Sequence, residues 1–463
     1  MSKVDLVLAD AAVHLPGGEV TEGWLSVIDG VVDAVGSGSV PQAGAVVDCQ
    51  GKWVLPGAVD IHVHFRDPGF VEKEDFSTGS AAAAAGGVTT VIDMPNTEGS
   101  VVTGEDLVRK LRVLDGRSHV DYGLYALLTD SAAHVDDLRA LGVAGLKWMF
   151  GHEAPARPSA RPVTRTSIRD ALSKAAAAGL LVGVHAEDPV WHADLEGCLR
   201  AQGRTDVRAH GEARPPFIEA LAIAQAAIVG QETGARLHIH HLSSAKGLEM
   251  VTAMRAALDV SLTVEVCPHH LFLTQDDLDR LGTRGKVNPP LRDQCDVDAL
   301  WGGIAAGTID CVASDHAPHT PAEKVTDSVW KTQSGLLGVE TLFPLLFDEV
   351  RGGRLSTGQF TRLTAETPAR LVGLDHRKGA LSPGHDADIV VVDPDASTVV
   401  SAAALHSKHP DTPFEGRQWR GAIDAVYVRG RPVVQTGQVQ SPPLGVYVPS
   451  QHRGDSEPRR RTA

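Results

Sequence analysis

The chain has 463 residues, 43% of them hydrophobic, enough for one large barrel with an appendage or for two to three ordinary domains. A net charge of -15 excludes nucleic acid as the main partner, because phosphate binding needs clustered Lys and Arg. No apolar run approaches the roughly 20 residues of a membrane span, so no membrane partner is expected.

The start, Met1 to Asp5, lacks the apolar stretch of a secretory signal. The five cysteines are scattered without a CxxC pair. Both features lead us to expect reduced thiols and a cytoplasmic setting.

Residues 1–55 read as short strands at Val4 to Leu8, Trp24 to Ile28, Val31 to Val35 and Val46 to Asp48, separated by Gly and Asp turns. Strand patterns return at Ala387 to Asp393 and Ile423 to Val428. We therefore expect both termini, 1–55 and 376–440, to build one small β-sandwich domain beside a central domain over 56–375. The tail, 441–463, is Pro-rich and then basic, and is expected to be loosely ordered.

The central part alternates strand and helix signals. Strands are expected at Ala58 to Phe65, Val88 to Met94, Val120 to Leu128 and Ala144 to Phe150, then at Leu180 to His185, Ala235 to Leu242, Ser261 to Val266 and Ile309 to Ala313. Helical patterns fall between them, among them Phe76 to Ala85, Gly104 to Leu114, Ser167 to Ala178, Phe217 to Thr233 and Ala245 to Ala257. Eight such units predict an α/β fold, a (β/α)8 TIM-like barrel. The competing arrangement is a doubly wound open sheet.

Polar residues gather where these strands end. The first carries His62 and His64, two residues apart and so on one face of the strand. The fourth carries Lys147 in an apolar run, the fifth ends at His185, the sixth in His238-Ile239-His240-His241 and the eighth in Ser314-Asp315-His316-Ala317-Pro318-His319. Taken singly, each has a structural explanation: a hydrogen-bonded histidine, a snorkelling lysine or a capping aspartate. Together they point to one shared site at the C-terminal end of a barrel, with imidazole and carboxylate ligands suited to zinc or a similar divalent ion. A lysine ammonium repels a metal, so Lys147 fits as a carbamate bridging two ions or, alternatively, as a lysine paired with Glu or Asp. Periodicity does not choose among His238, His240 and His241.

These motifs, together with Leu55-Pro56-Gly57 and the segment from Lys378 to Asp388, resemble the amidohydrolase superfamily. Within it they resemble the group acting on cyclic amides: dihydroorotase, allantoinase, hydantoinase and dihydropyrimidinase. The resemblance implies two divalent metal ions, Zn2+ by preference. His62, His64 and Asp315 would bind one, His185 and His241 the other, and a carbamate on Lys147 would bridge them. It implies Asp315 as the catalytic proton carrier, a small cyclic amide substrate and a homo-oligomer.

Three places bear on the substrate. His64-Phe65-Arg66-Asp67-Pro68-Gly69, Met94-Pro95-Asn96-Thr97 and Asp315-His316-Ala317-Pro318-His319 each resemble dihydroorotase. By that resemblance Arg66, Asn96 and His319 meet a substrate carboxylate, while Asn288, in Lys286 to Arg292, offers contacts to the ring. Lys147 departs from many bacterial dihydroorotases, which carry Asp there, and is usual in allantoinases, hydantoinases and the dihydroorotase domain of the animal multifunctional pyrimidine enzyme. The stretch from Gly151 to Val163 is expected to be a mobile loop over the site. Cys267-Pro268-His269-His270 is expected to serve packing or to back the metal ligands, the alternative being a metal role of its own, and Glu187 to support a ligand by a hydrogen bond.

Overall fold

A computed structural model describes residues 4–150, 161 and 163–452. Apart from Arg161 and Val163, the expected loop of 151–163 lies outside these residues.

The N-terminal part forms β1 (Val4–His14), β2 (Val20–Ile28), β3 (Val31–Gly36), β4 (Ala43–Asp48) and β5 (Trp53–Pro56). The barrel strands follow: β6 (Ala58–Val63), β7 (Val88–Asp93), β8 (Asp121–Leu127), β9 (Gly145–Trp148), β10 (Leu181–Val184), β11 (Arg236–Ile239), β12 (Ser261–Val266) and β13 (Cys311–Val312). The C-terminal part adds β14 (Ile389–Val399), β15 (Gln418–Val428), β16 (Arg431–Gln435) and β17 (Gln438–Val439).

The strands β6 to β13 pair in sequence order, all parallel. The ring closes between its ends through the Val63–His316 bridge and the bond from the His64 amide to the His316 carbonyl at 2.8 Å. Residues of β6 to β10 are buried on both faces, as a parallel sheet covered by helices requires. The expected barrel is thus the observed one.

The sequence placed several strand ends too late: at Phe65 where β6 stops at Val63, and at Leu242 where β11 stops at Ile239. The reason is local. Arg66, Phe150, His241 and Asp315 follow strand ends with φ of +63°, +40°, +40° and +47°. L-residues rarely adopt this left-handed region, and one such residue turns the chain off its ladder.

The terminal strands form one sheet in the order β17-β16-β15-β14-β5-β1-β2-β3, with β4 on β1. Alternation gives it two faces. Ile389 and Val391 share a core with Leu6, Leu8, Leu25 and Tyr427, so the sheet curls over itself. Val390, Val392, Val426 and Val428 belong instead to the main core with the barrel residues. β5 joins the parts: it pairs with β1 and β14, then passes through Gly57 directly into β6.

The tail is a correction over its described part, residues 441–452. Val448 is fully buried, its amide bonds the Tyr122 carbonyl at 2.8 Å, and the Tyr447 hydroxyl donates to the carbonyls of Leu141 and Gly142. Its apolar residues cover the end of the barrel away from the strand C-termini, a role the Pro-rich composition concealed. A helix at Leu342–Arg351, following β13, was also not expected.

Candidate metal centre and substrate cavity

A cavity of about 430 Å³ opens at the C-terminal ends of the barrel strands. All ten residues singled out from the sequence line it: His62, His64, Lys147, His185, His241 and Asp315, with Arg66, Asn96, Asn288 and His319. They come from seven different barrel strands and the loops that follow them, which is what a barrel mouth brings together.

The polar atoms fall into two groups. His62 Nε2 and His64 Nε2 each lie 3.2 Å from the same oxygen of Asp315. His185 Nδ1 lies 2.9 Å from His241 Nε2. The groups adjoin, since ligand atoms of His62, His241 and Asp315 all lie within 4.8 Å of one another. Ligands of a tetrahedral ion at about 2.1 Å are separated by about 3.4 Å, so these spacings suit donors arranged around ions.

The electrostatics favour the same use. Burial holds the imidazoles of His62, His64 and His241 well below their ordinary range, leaving them neutral with lone pairs available. Burial raises the Asp315 carboxyl to about 6. It lowers the Lys147 ammonium to about 8, against the opposing pull of Asp315 and Glu265. Lys147 is 2% exposed and, among the described residues, forms no ion pair, so the alternative of a Lys147–carboxylate pair is not seen. A buried amine without a counterion is chemically suited to becoming an anionic carbamate. The residues present therefore fit a pair of divalent ions.

The choice among the strand-six histidines is made by register. His238 and His240 point into the barrel interior, where His238 contacts Thr263 and Glu265, and His240 contacts Glu265, at 2.9–3.0 Å. The left-handed turn at His241 swings its ring into the cavity instead.

Arg66 leaves β6 by its own left-handed turn. Its Nε donates to the Pro318 carbonyl at 3.2 Å, and its Nη2 lies 3.3 Å from His319 Nε2. Among the described residues this part-buried guanidinium has no carboxylate partner. Burial, with Arg66 beside it, holds His319 far below its ordinary pKa, so it stays neutral. Asn96 Oδ1 and Asn288 Oδ1 are buried and, among the described residues, without hydrogen-bond partners.

Support for these groups comes from residues behind them. The expected Glu187 contact is present, with His185 Nε2 at 3.0 Å from Glu187 Oε2, and Arg214 pairs with the same carboxylate. Glu265, on β12, was missed. Burial opposes its charge, but His62 and His238 outweigh burial and hold it strongly ionised. The signal was a lone carboxylate in the apolar run Leu262-Thr263-Val264-Glu265-Val266. Among the described residues no helix is long and apolar enough to cross a membrane.

The sequence model of the amidohydrolase family matches residues 53–433. Over 390 residues the chain is 43% identical to a dihydroorotase of Halobacterium salinarum, covering 83% of this chain and 87% of that one. Over 459 residues it is 35% identical to an allantoinase of Rubrobacter xylanophilus, covering 98% and 100%. Among solved structures, the L-hydantoinase (dihydropyrimidinase) of Arthrobacter aurescens superposes with a TM-score of 0.91 at 31% identity, covering 96% of this chain and all of that one.

The chain belongs to the amidohydrolase family. More narrowly, it is a hydrolase of carbon–nitrogen bonds in cyclic amides, the activity shared by these relatives.

Proposed function

We propose that the substrate is a carboxylated ring and that the enzyme is a dihydroorotase of the cytoplasm, interconverting dihydroorotate and N-carbamoyl-L-aspartate. The observation that carries this reading is Arg66: a part-buried guanidinium that forms no ion pair among the described residues, beside neutral His319 in the cavity of the candidate metal-ligand residues. A charge held this way has a use if the substrate brings the anion. Asn96 and Asn288 add buried amide oxygens that have no partner among the described residues and could accept N–H groups of the same molecule.

His62, His64 and Asp315 would hold one zinc ion and His185 and His241 a second, with carbamylated Lys147 between them. When bound, such ions lower the pKa of water toward neutrality and polarise a carbonyl. Asp315 takes the proton from the attacking water as the carbon–oxygen bond forms. It returns that proton to the ring nitrogen as the carbon–nitrogen bond breaks.

A second reading is favoured by the near-complete coverage of the allantoinase relative and by Lys147. Allantoin carries no carboxylate, which separates the two. Comparing kcat/KM for dihydroorotate, allantoin, hydantoin and dihydrouracil should give the highest value for dihydroorotate. Arg66→Ala should then raise KM for dihydroorotate by about 100-fold, the weight of a lost charge-assisted contact, and change neutral rings little. A preference for allantoin, or equal losses on neutral rings, would overturn the assignment.

A further inference from the structure

Glu265 is fully buried in the barrel interior and takes no part in the chemistry described so far. Its Oε1 lies 2.5 Å from His62 Nδ1 and 3.0 Å from His240 Nδ1, and accepts the backbone N–H of His241 at 3.2 Å. Its Oε2 lies 3.0 Å from His238 Nε2. The carboxylate thus meets four groups, one on β6 and three on β11 and the turn that follows it.

Two of those contacts reach metal-ligand residues, one from each group. An imidazole that gives its Nδ1 proton to a carboxylate keeps its lone pair on Nε2, and is made a stronger donor. For His62, Nε2 is the nitrogen that faces Asp315 Oδ1, the same oxygen that His64 Nε2 meets. The His241 contact is of another kind. That residue has a φ of +40°, and the bond to its amide holds the turn that aims its ring at His185.

We propose that Glu265 is a positioning residue that couples the two metal positions, fixing the His62 tautomer and the His241 turn with one oxygen. The proposal rests on the reading that His62 and His241 hold ions. It adds that losing one side chain, which touches neither ion, weakens both together.

The test is zinc binding to the full-length chain, measured by competition with a chromophoric chelator, with circular dichroism recorded in parallel. Wild-type protein should bind two zinc ions per chain. Failure there would sink the metal reading itself, whatever the variant does. Given two sites in wild type, Glu265→Gln, which keeps the volume, should weaken both ions about 10- to 100-fold while the folded spectrum persists. If the residue only fills the core, Gln leaves both affinities unchanged. Unchanged affinities, or a loss confined to one ion, would overturn the coupling. Should Glu265→Gln not fold, Glu265→Asp takes its place. A carboxylate one methylene shorter cannot reach His62, His240 and the His241 amide at once, so the same paired loss is expected and the same two outcomes refute it. Cobalt substitution gives a second reading: the visible spectrum should change in the variant, reporting an altered ligand field rather than altered stability.

Discussion

At the scale of single residues, the centre is built against the stability of the fold without metal. The Asp315 carboxyl is raised by burial from 3.8 to about 6 in the folded chain. Between those values the native state binds more protons than the unfolded one, so this group's contribution to stability falls as pH rises from 4 to 6 and stays unfavourable above. The cost at neutral pH is on the order of 3 kcal/mol, from about two units at 1.36 kcal/mol each. Metal-stripped Asp315→Asn should therefore be more stable than wild type to urea at pH 7.5 and nearly equal to it at pH 4. The same variant should show no turnover, since an amide cannot carry the proton. A less stable variant at pH 7.5 contradicts the first expectation, and residual wild-type turnover the second. Lys147→Ala should lose metal, with partial recovery on adding a short carboxylic acid that supplies the missing anion. Metal content equal to wild type, by atomic absorption, would remove Lys147 from the centre.

Elements act by bringing these residues within reach of one another. β10 and β11 pair with Gly183 opposite His238, and an added Cβ at Gly183 would run into the His240 ring. The position is glycine because a buried histidine needs the space, not because of its backbone angles. Gly183→Ala should cost about 1–3 kcal/mol through overpacking. It should also disturb His240, and through Glu265 the cavity residue His62. Thermal unfolding and zinc content measure the two effects, and a variant matching wild type in both would show that the strand pair gives way easily.

Across the whole molecule, the opposite end of the barrel is held by charge. The Lys378 ammonium lies 2.6 Å from Asp121, 2.9 Å from Asp386 and 2.7 Å from Asp388, with no exposed surface. Arg429 pairs with the same Asp121 and donates to the Leu444 carbonyl at 2.6 Å. This cluster ties the start of β8 to the β14 and β15 region and to the tail. Lys378→Met leaves buried carboxylates uncompensated and should destabilise the protein by about 3–5 kcal/mol. Chemical denaturation provides the check, and a loss below 1 kcal/mol would mean that water or Arg429 takes over the neutralisation.

The sequence by itself determined the barrel, because eight buried parallel strands impose long apolar runs whose ends can be read. It also determined that His62, His64, Lys147, His185 and Asp315 gather, because strands in a barrel end at one mouth. Tertiary structure alone decided three further matters. Which of His238, His240 and His241 faces the cavity depends on a single left-handed turn that breaks the strand period. The role of Glu265 depends on contacts 24 to 203 residues away in the chain, which local pattern does not encode. The packing of residues 441–452 depends on a barrel surface that does not exist until the barrel is formed.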